Sequence, residues 1–197
     1  MRGRPRKFDR SAVLKTVRET FWLTGYAGTN YALLCERTGL NKPSLYNAFG
    51  SKDALFLEAL ESYIALGVQP SIERLNAVQN VRTAIQMLLE DTVKALTDEQ
   101  TPAGCFLANN LTFAQNDEVP DAITTALENG VALTPAAILN RLESVEPNVL
   151  PSGVSARELA VYFETLIAGL SAMAREGAAQ SDLLKVVDLA MQFWPES

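Results

Sequence analysis

Apolar residues recur every three or four positions along most of the chain, the spacing that places side chains on one face of an α-helix. In the first such segment Val13, Val17 and Phe21 share one face, and Asp9 stands ahead of them as a helix N-cap. Alternating runs of β-branched residues, which would indicate strands, are few. The pattern therefore predicts an all-α protein.

Turn-forming residues divide this pattern into a series of helices. The first three are expected at 9–25, at 29–38 with Thr29 or Asn30 as its cap, and at 42–49. A fourth, longer helix follows the cap Ser51 and begins with 52–66, and further helices are expected near 81–97, 103–114, 120–144, 155–177 and 181–194. Pro135 lies inside one of them and should kink or divide it, because proline lacks the N–H of the helix ladder.

A tight turn joins the second and third helices in the segment 35–56, CERTGLNKPSLYNAFGSKDALF. Gly39 can adopt the left-handed backbone that such a turn needs. Three short helices in about fifty residues fit a helix-turn-helix, whose second helix enters the DNA major groove. With Leu45 and Phe49 turned inward, the third helix presents an outward surface made of Lys42, Pro43, Ser44, Tyr46 and Asn47.

The residue types on and beside this surface suit contacts with DNA. Lys42 and Lys52 can neutralise phosphates. Ser44 and Asn47 can hydrogen-bond to base edges or to the DNA backbone. Tyr46 can donate to a phosphate while its ring contacts a thymine methyl group. We therefore expect the third helix to be the recognition helix.

The distribution of charge also favours a nucleic-acid partner. Residues 1–52 carry ten lysines or arginines against three acids, a net charge of +7, whereas the remainder carries seven against twenty, a net charge of −13. A short basic head is often a solvated tail, but here the basic residues continue into patterned sequence. In the arm RGRPRK, Arg4 and Arg6 are expected to enter the minor groove, and Thr29 to share its hydroxyl between capping and a phosphate.

Composition excludes several kinds of catalytic and metal site. The chain has no histidine, so serine triads and histidine-based zinc sites are excluded, and its two cysteines lack C-x-x-C spacing. We expect no metal, no cofactor and no enzymatic activity, because the adjacent carboxylates of Asp117 and Glu118 lack a spaced base or nucleophile. We also expect no apolar run close to the roughly 18 residues of a membrane span, and the charged N-terminus lacks a signal peptide, which predicts a cytoplasmic protein.

The segment GYAGTNYALLCERTGLNKPSLYNAFGSKDALF resembles the DNA-binding domain of TetR-family (TetR/AcrR-type) transcriptional repressors. The matching positions are Gly25, Tyr26, Thr29, Cys35, Gly39, Leu40, Lys42, Leu45, Tyr46, Phe49, Lys52, Leu55 and Phe56. The specific match covers about residues 8–60. Asn47, Ala48 and Cys35 depart from the usual residues, and the first two leave base preference open.

The resemblance implies a DNA-binding domain at 1–52 and a helical effector-binding and dimerisation domain at 53–197. It implies a homodimeric repressor that a small molecule releases from a palindromic double-stranded operator. The alternatives are a constitutive DNA-binding protein without ligand control, against which the long acidic domain argues, and a helical enzyme.

Two further sets of residues are expected to serve the C-terminal domain. The pocket candidates are polar or thiol side chains in apolar helical sequence: Cys105, Asn109, Asn110 and Tyr162. Apolar stripes on the last two helices are expected to form a four-helix bundle between subunits, or alternatively to bury only within the monomer. These stripes are Leu159, Phe163, Leu166, Leu170 and Met173, followed by Leu183, Val187, Met191 and Trp194.

Overall fold

The computed structural model describes residues 8–114 and 119–194, and within these ranges the chain is helical and contains no strand. The all-α prediction is confirmed. The α-helices of the described ranges are α1 (Arg10–Gly28), α2 (Tyr31–Thr38), α3 (Lys42–Phe49), α4 (Lys52–Tyr63), α5 (Gln69–Ala77), α6 (Val81–Leu96), α7 (Phe106–Phe113), α8 (Asp121–Glu143), α9 (Ala156–Arg175) and α10 (Gln180–Met191).

Side-chain caps set the starts of the first three helices. The carboxylate of Asp9 accepts hydrogen bonds from two backbone N–H groups of α1, and the side chains of Asn30 and Asn41 cap α2 and α3 in the same way. The sequence predicts that α1 ends at Gly25. This glycine does break the helical backbone, with φ of 69°, but one further turn follows to Gly28.

Helical backbone continues from α4 through Pro70 to the end of α5. A π-helical turn, Ile64–Val68, links α4 to α5, and the N–H of Gln69 donates to the carbonyl of Ile64, five residues earlier. Proline has no N–H, and its ring collides with the carbonyl four residues before it, here that of Leu66. The wider turn accommodates both effects. The sequence pattern predicts no helix across this point.

The buried apolar residues of the described ranges form two hydrophobic cores. The first packs α1–α4 against α7 and the start of α8, and the second packs α5, α6, α9 and α10 against the end of α8. Leu55 and Phe56 belong to the first core, where the Phe56 ring meets the ring of Phe21 at 4.9 Å between centroids. Because this core extends beyond residue 52, the helix-turn-helix does not have a core of its own. The division into 1–52 and 53–197 stays a prediction.

Helix α8 joins the two cores. Ile123 and Leu127 are buried in the first core, and Ile138 and Leu142 in the second. The helix passes Pro135 without a break, so the predicted division there is wrong. Among the helices in the described ranges, α8 is the one whose length and composition would allow it to cross a membrane. One helix of this kind is weak evidence for a membrane span, and the buried residues of α8 contribute to both cores.

The predicted dimer stripes lie mostly inside the monomer, so this part of the interface prediction is wrong. Helices α9 and α10 turn these side chains towards α6 and α8 to form the second core, and Leu166 is half-buried beside them. Met173 is the exception, at 46% exposed. The residues that the monomer buries, each at most 3% exposed, are Leu159, Phe163, Leu170, Leu183, Val187, Met191 and Trp194.

Candidate DNA-binding and effector sites

Helix α3 presents one apolar face to the core and one polar face to solvent. Leu45 is fully buried and Phe49 nearly so, whereas the next residue after Leu45, Tyr46, is 57% exposed. Lys42, Pro43 and Asn47 are also exposed, and Ser44 is half-buried. The structure therefore brings these five predicted residues together on one outward surface of a single helix.

The turn before α3 and the end of α3 are held by hydrogen bonds from α2. Gly39 has φ of 69° and donates its N–H to the carbonyl of Cys35 at 2.9 Å, which closes α2. The Tyr31 hydroxyl donates to the carbonyl of Gly50 at 2.9 Å, just beyond α3. Burial, followed by the neighbouring Tyr46 and Asp53, raises the pKa of Tyr31, so this donor keeps its proton at neutral pH. The α2–α3 pair is therefore held as a unit.

Arg10, the first residue of α1, contacts both the C-terminal end of α3 and helix α4. Its guanidinium pairs with the carboxylate of Glu58, with Nη2 and Oε2 at 2.7 Å. It also lies over the ring of Phe49, 4.5 Å from the centroid, and Nη2 donates to the carbonyl of Ala48 at 3.4 Å. In the sequence, Arg10 is recognisable only as one of the basic charges of the N-terminal part. No local motif indicates a contact across 48 positions.

Thr29 and Lys52 stabilise the junction between α1 and α4. Thr29 is fully buried and donates its hydroxyl to the carbonyl of Gly25 at 2.7 Å, so its predicted capping and phosphate contacts are wrong. The Lys52 ammonium donates to the carbonyls of Tyr26 and Thr29, each at 3.0 Å, and lies 3.9 Å from the centroid of the Tyr26 ring. It thus compensates the negative C-terminal end of α1. The phosphate contact of Lys52 stays a prediction. Arg4 and Arg6 lie outside the described residues.

A cavity of about 520 Å³ lies between α1, the α4–α5 junction, α6, α7, α8 and α9. Its wall is mainly apolar and includes the side chains of Trp22, Tyr63, Leu88, Leu107 and Ile167. This volume falls in the range, roughly 300–1,000 Å³, that is typical of small-molecule sites. The arrangement can hold one small apolar molecule.

Of the four predicted pocket residues, Cys105 lines this cavity and the other three do not. Asn109 and Asn110 are buried in α7, where their amides donate to the carbonyls of Ala103 and Phe106. Tyr162 is 40% exposed on the outer surface of α9. The prediction is wrong for these three because a polar residue in an apolar helix can satisfy its own backbone or face solvent instead.

The thiol of Cys105 faces a tyrosine within the cavity wall. The Tyr63 hydroxyl donates to its Sγ at 3.5 Å. Burial, followed by the neighbouring thiol, raises the pKa of Tyr63 well above its usual value, so the phenol stays neutral. The backbone N–H of Cys105 donates to the hydroxyl of Ser171 on α9 at 3.2 Å.

Helices α9 and α10 carry an exposed apolar face outside the second core. Leu189 is 63% exposed and Val161 is 56% exposed, values well above those of the buried stripes. The ring of Tyr162 on α9 meets the ring of Phe193, two residues beyond the end of α10, edge to face at 5.3 Å between centroids. Met173 lies further along α9 and is also exposed. Apolar surface of this kind marks an interaction site when it is continuous.

Comparisons with known proteins agree with these features. The family model for bacterial regulatory proteins of the tetR family matches residues 13–59. The HTH-type transcriptional repressor ComR of Escherichia coli is 31% identical over 197 residues, covering 99% of this chain and 93% of ComR. The repressor BdcR of the same organism is 26% identical, covering 95% and 90%. A cysteine mutant of the TetR family regulator CifR, solved with 26-bp double-strand operator DNA, superimposes with a TM-score of 0.87 at 31% identity, covering 98% of this chain and all of that one.

Proposed function

Because the chain belongs to the TetR family of bacterial regulatory proteins, we propose that it is a homodimeric repressor that binds double-stranded operator DNA through α3 and is released by a small molecule. The observation that carries the proposal is the outward surface of α3, where Tyr46 and Lys42 are exposed on a helix whose opposite face is locked into the core. The TetR family is a family of regulators, not of enzymes. From the proposed DNA partner we infer a cytoplasmic location.

Two copies of α3 are needed to read a palindromic operator. Helix-turn-helix dimers place their recognition helices about one DNA turn apart, roughly 34 Å, or at a related spacing. We assign the dimer contact to the exposed apolar face that is formed by Val161 on α9, Leu189 on α10 and Phe193 just beyond α10. Burying this face against a second copy removes apolar surface that the monomer leaves in water.

The dimer contact is tested by placing a charge in it. Leu189→Glu should convert the dimer to a monomer in analytical ultracentrifugation and weaken operator binding, because an unpaired buried carboxylate is costly. The matched control is Leu23→Glu, a similarly exposed leucine, 52% exposed, on α1. A Leu189→Glu variant that remains dimeric would refute the assignment.

A continuous set of contacts leads from the cavity to α3. Arg18 lines the cavity and donates to the hydroxyl of Ser62 on α4 at 3.0 Å. One turn earlier on the same helix, Glu58 pairs with Arg10, which covers Phe49 at the end of α3. A molecule that moves α4 therefore moves α3 and changes the separation of the two recognition helices. Coupling between an effector and a second site is typically about 1–3 kcal/mol.

A mobility-shift assay on the promoter of the chain's own gene tests the proposal, first alone and then with metabolite mixtures. Specific binding that a mixture abolishes is the expected result. Specific binding that no mixture changes would instead support the constitutive DNA-binding protein, although the cavity favours ligand control. Absence of specific binding would refute both.

A further inference from the structure

The charged side chains around the cavity differ in whether they have partners. Arg74 pairs with the carboxylate of Asp91 at 3.1 Å, so these two charges compensate each other. Asp98 and Glu164 also line the cavity but are exposed to solvent. Arg18 is half-buried and, within the part of the chain that the structure describes, forms no ion pair. The cavity therefore contains one positive charge that the described part of the protein does not neutralise.

Two buried hydrogen-bond donors at this cavity also lack acceptors. The Nε of Arg18 and the indole N–H of Trp22 have no hydrogen-bond partner among the described residues, although Trp22 is only 5% exposed. The two residues are four positions apart on α1, so they lie on the same face of the helix, and both line the cavity. Buried donors are normally paired, and a guanidinium stays charged at physiological pH. A negatively charged hydrogen-bond acceptor would pair with these donors and also neutralise the guanidinium.

The rest of the wall limits what that acceptor can be attached to. Apart from Arg18, the surroundings are mainly the ring of Tyr63 and the side chains of Leu88, Leu107 and Ile167, which suit an apolar body. A dianionic group such as a phosphate would need more than one unpaired cation, and the exposed carboxylates at the edge disfavour it further. A single carboxylate fits the charge that is present.

We propose that the cavity binds a monocarboxylate with an apolar or aromatic body, whose carboxylate is held by Arg18 and whose body lies against Trp22 and Tyr63. The inference rests on the proposed function, since it assigns the chemical class of the effector. It also explains how the ligand reaches the recognition helix, because Arg18 is the residue that contacts α4 through Ser62.

The test compares matched probes on the dimeric protein without DNA. The probes are 3-phenylpropionate and octanoate, each beside its neutral primary amide, and affinities are measured by calorimetry. Each carboxylate should bind at least about tenfold more tightly than its amide, because a charge-assisted hydrogen bond is stronger than a neutral one. Equal affinities, or no binding of any probe up to about 5 mM, would overturn the proposal.

Two variants of Arg18 and one matched control test whether Arg18 is responsible for the preference for carboxylates over amides. Arg18→Gln should abolish the preference for carboxylates and leave amide binding within about threefold, whereas Arg18→Lys, which keeps the charge, should retain it. Arg74→Gln is the control, since Arg74 lines the same cavity but is already paired, and it should change the preference less than about threefold. A preference that survives in a folded Arg18→Gln protein would overturn the assignment. If Arg18→Gln does not fold, loss of the preference in a folded Arg18→Lys protein would overturn it instead.

The site and the proposed function can fail separately. Probe binding is measured on free protein, whereas operator release is measured by mobility shift at saturating probe. Carboxylates that bind with the expected preference but leave the operator complex intact would refute ligand control by this class and leave the binding site standing. An operator that is never bound would refute the proposed function alone.

Discussion

The adjacent residues Leu45 and Tyr46 should respond to alanine substitution in opposite ways. Leu45 is fully buried in the first core, so Leu45→Ala should lower the free energy of unfolding by about 2–5 kcal/mol. Tyr46 is 57% exposed, so Tyr46→Ala should change the free energy of unfolding by at most about 0.5 kcal/mol. The second variant should therefore fold and dimerise normally while losing operator affinity.

The loss of affinity follows from the number of recognition helices. A side chain that contacts a base or its neighbouring phosphate contributes about 1–3 kcal/mol. In a dimer both copies are changed, which gives about 2–6 kcal/mol, or about 30-fold to more than 10,000-fold in affinity. Such a loss brings specific binding towards the non-specific level.

Lys42→Ala provides the electrostatic comparison on the same surface. Removing one phosphate contact from each subunit should lower the magnitude of the log–log salt slope by about two per dimer, whereas the neutral Tyr46→Ala should leave that slope nearly unchanged. The assay is fluorescence anisotropy on promoter DNA at several salt concentrations, with circular dichroism to follow folding. An unchanged operator affinity in well-folded Tyr46→Ala and Lys42→Ala proteins would refute the assignment of α3 as the recognition helix.

Four further predictions concern other parts of the chain. Deleting residues 1–7 should weaken operator binding and its salt dependence, and unchanged affinity at physiological salt would show that the arm makes no contact. Cys105→Ser should retain operator binding and induction, and peroxide should not release the unaltered protein, because the thiol is held against the neutral Tyr63 hydroxyl in the cavity wall. Release of the unaltered protein but not of the variant would identify a redox sensor. Gly25→Ala should lower the melting temperature, since φ of 69° is strained for alanine and its added methyl group would meet an aromatic ring at 2.9 Å. Hydrogen bonds from Ser155 lower the pKa of Glu158. The stability that these bonds add is therefore fully present above the ordinary carboxyl pKa, and it is lost as the pH falls through the lowered pKa of Glu158. Ser155→Ala should raise the pKa of Glu158 in an NMR titration.

The helical character and the outward surface of α3 could be predicted from sequence because they depend on local features. A period of 3.6 residues separates the buried Leu45 and Phe49 from the exposed Tyr46 on any amphipathic helix. The left-handed turn at Gly39 and the proline in the first turn of α3 are also local, since each depends on the allowed backbone angles of one residue. The roles of these surface residues in binding DNA stay predictions.

Only the tertiary structure shows which part of the protein buries the apolar face of a given helix. The periodicity of Leu159, Phe163 and Leu170 indicates a buried face, but only the positions of α6 and α8 show that the same chain buries it. An apolar stripe gains the same free energy from either kind of burial, so the sequence pattern does not separate them.

Polar contacts between residues far apart in the chain could not be predicted from the sequence either. Arg10 meets Glu58, and Lys52 meets the end of α1, only because α1 and α4 pack side by side. Local patterns predict the periodicity, caps and turns of each helix, whereas the unpaired donors of Arg18 and Trp22 become significant only where six helical segments enclose a cavity. Helix geometry is set by neighbours along the chain, whereas pairing, burial and cavity shape are set by neighbours in space.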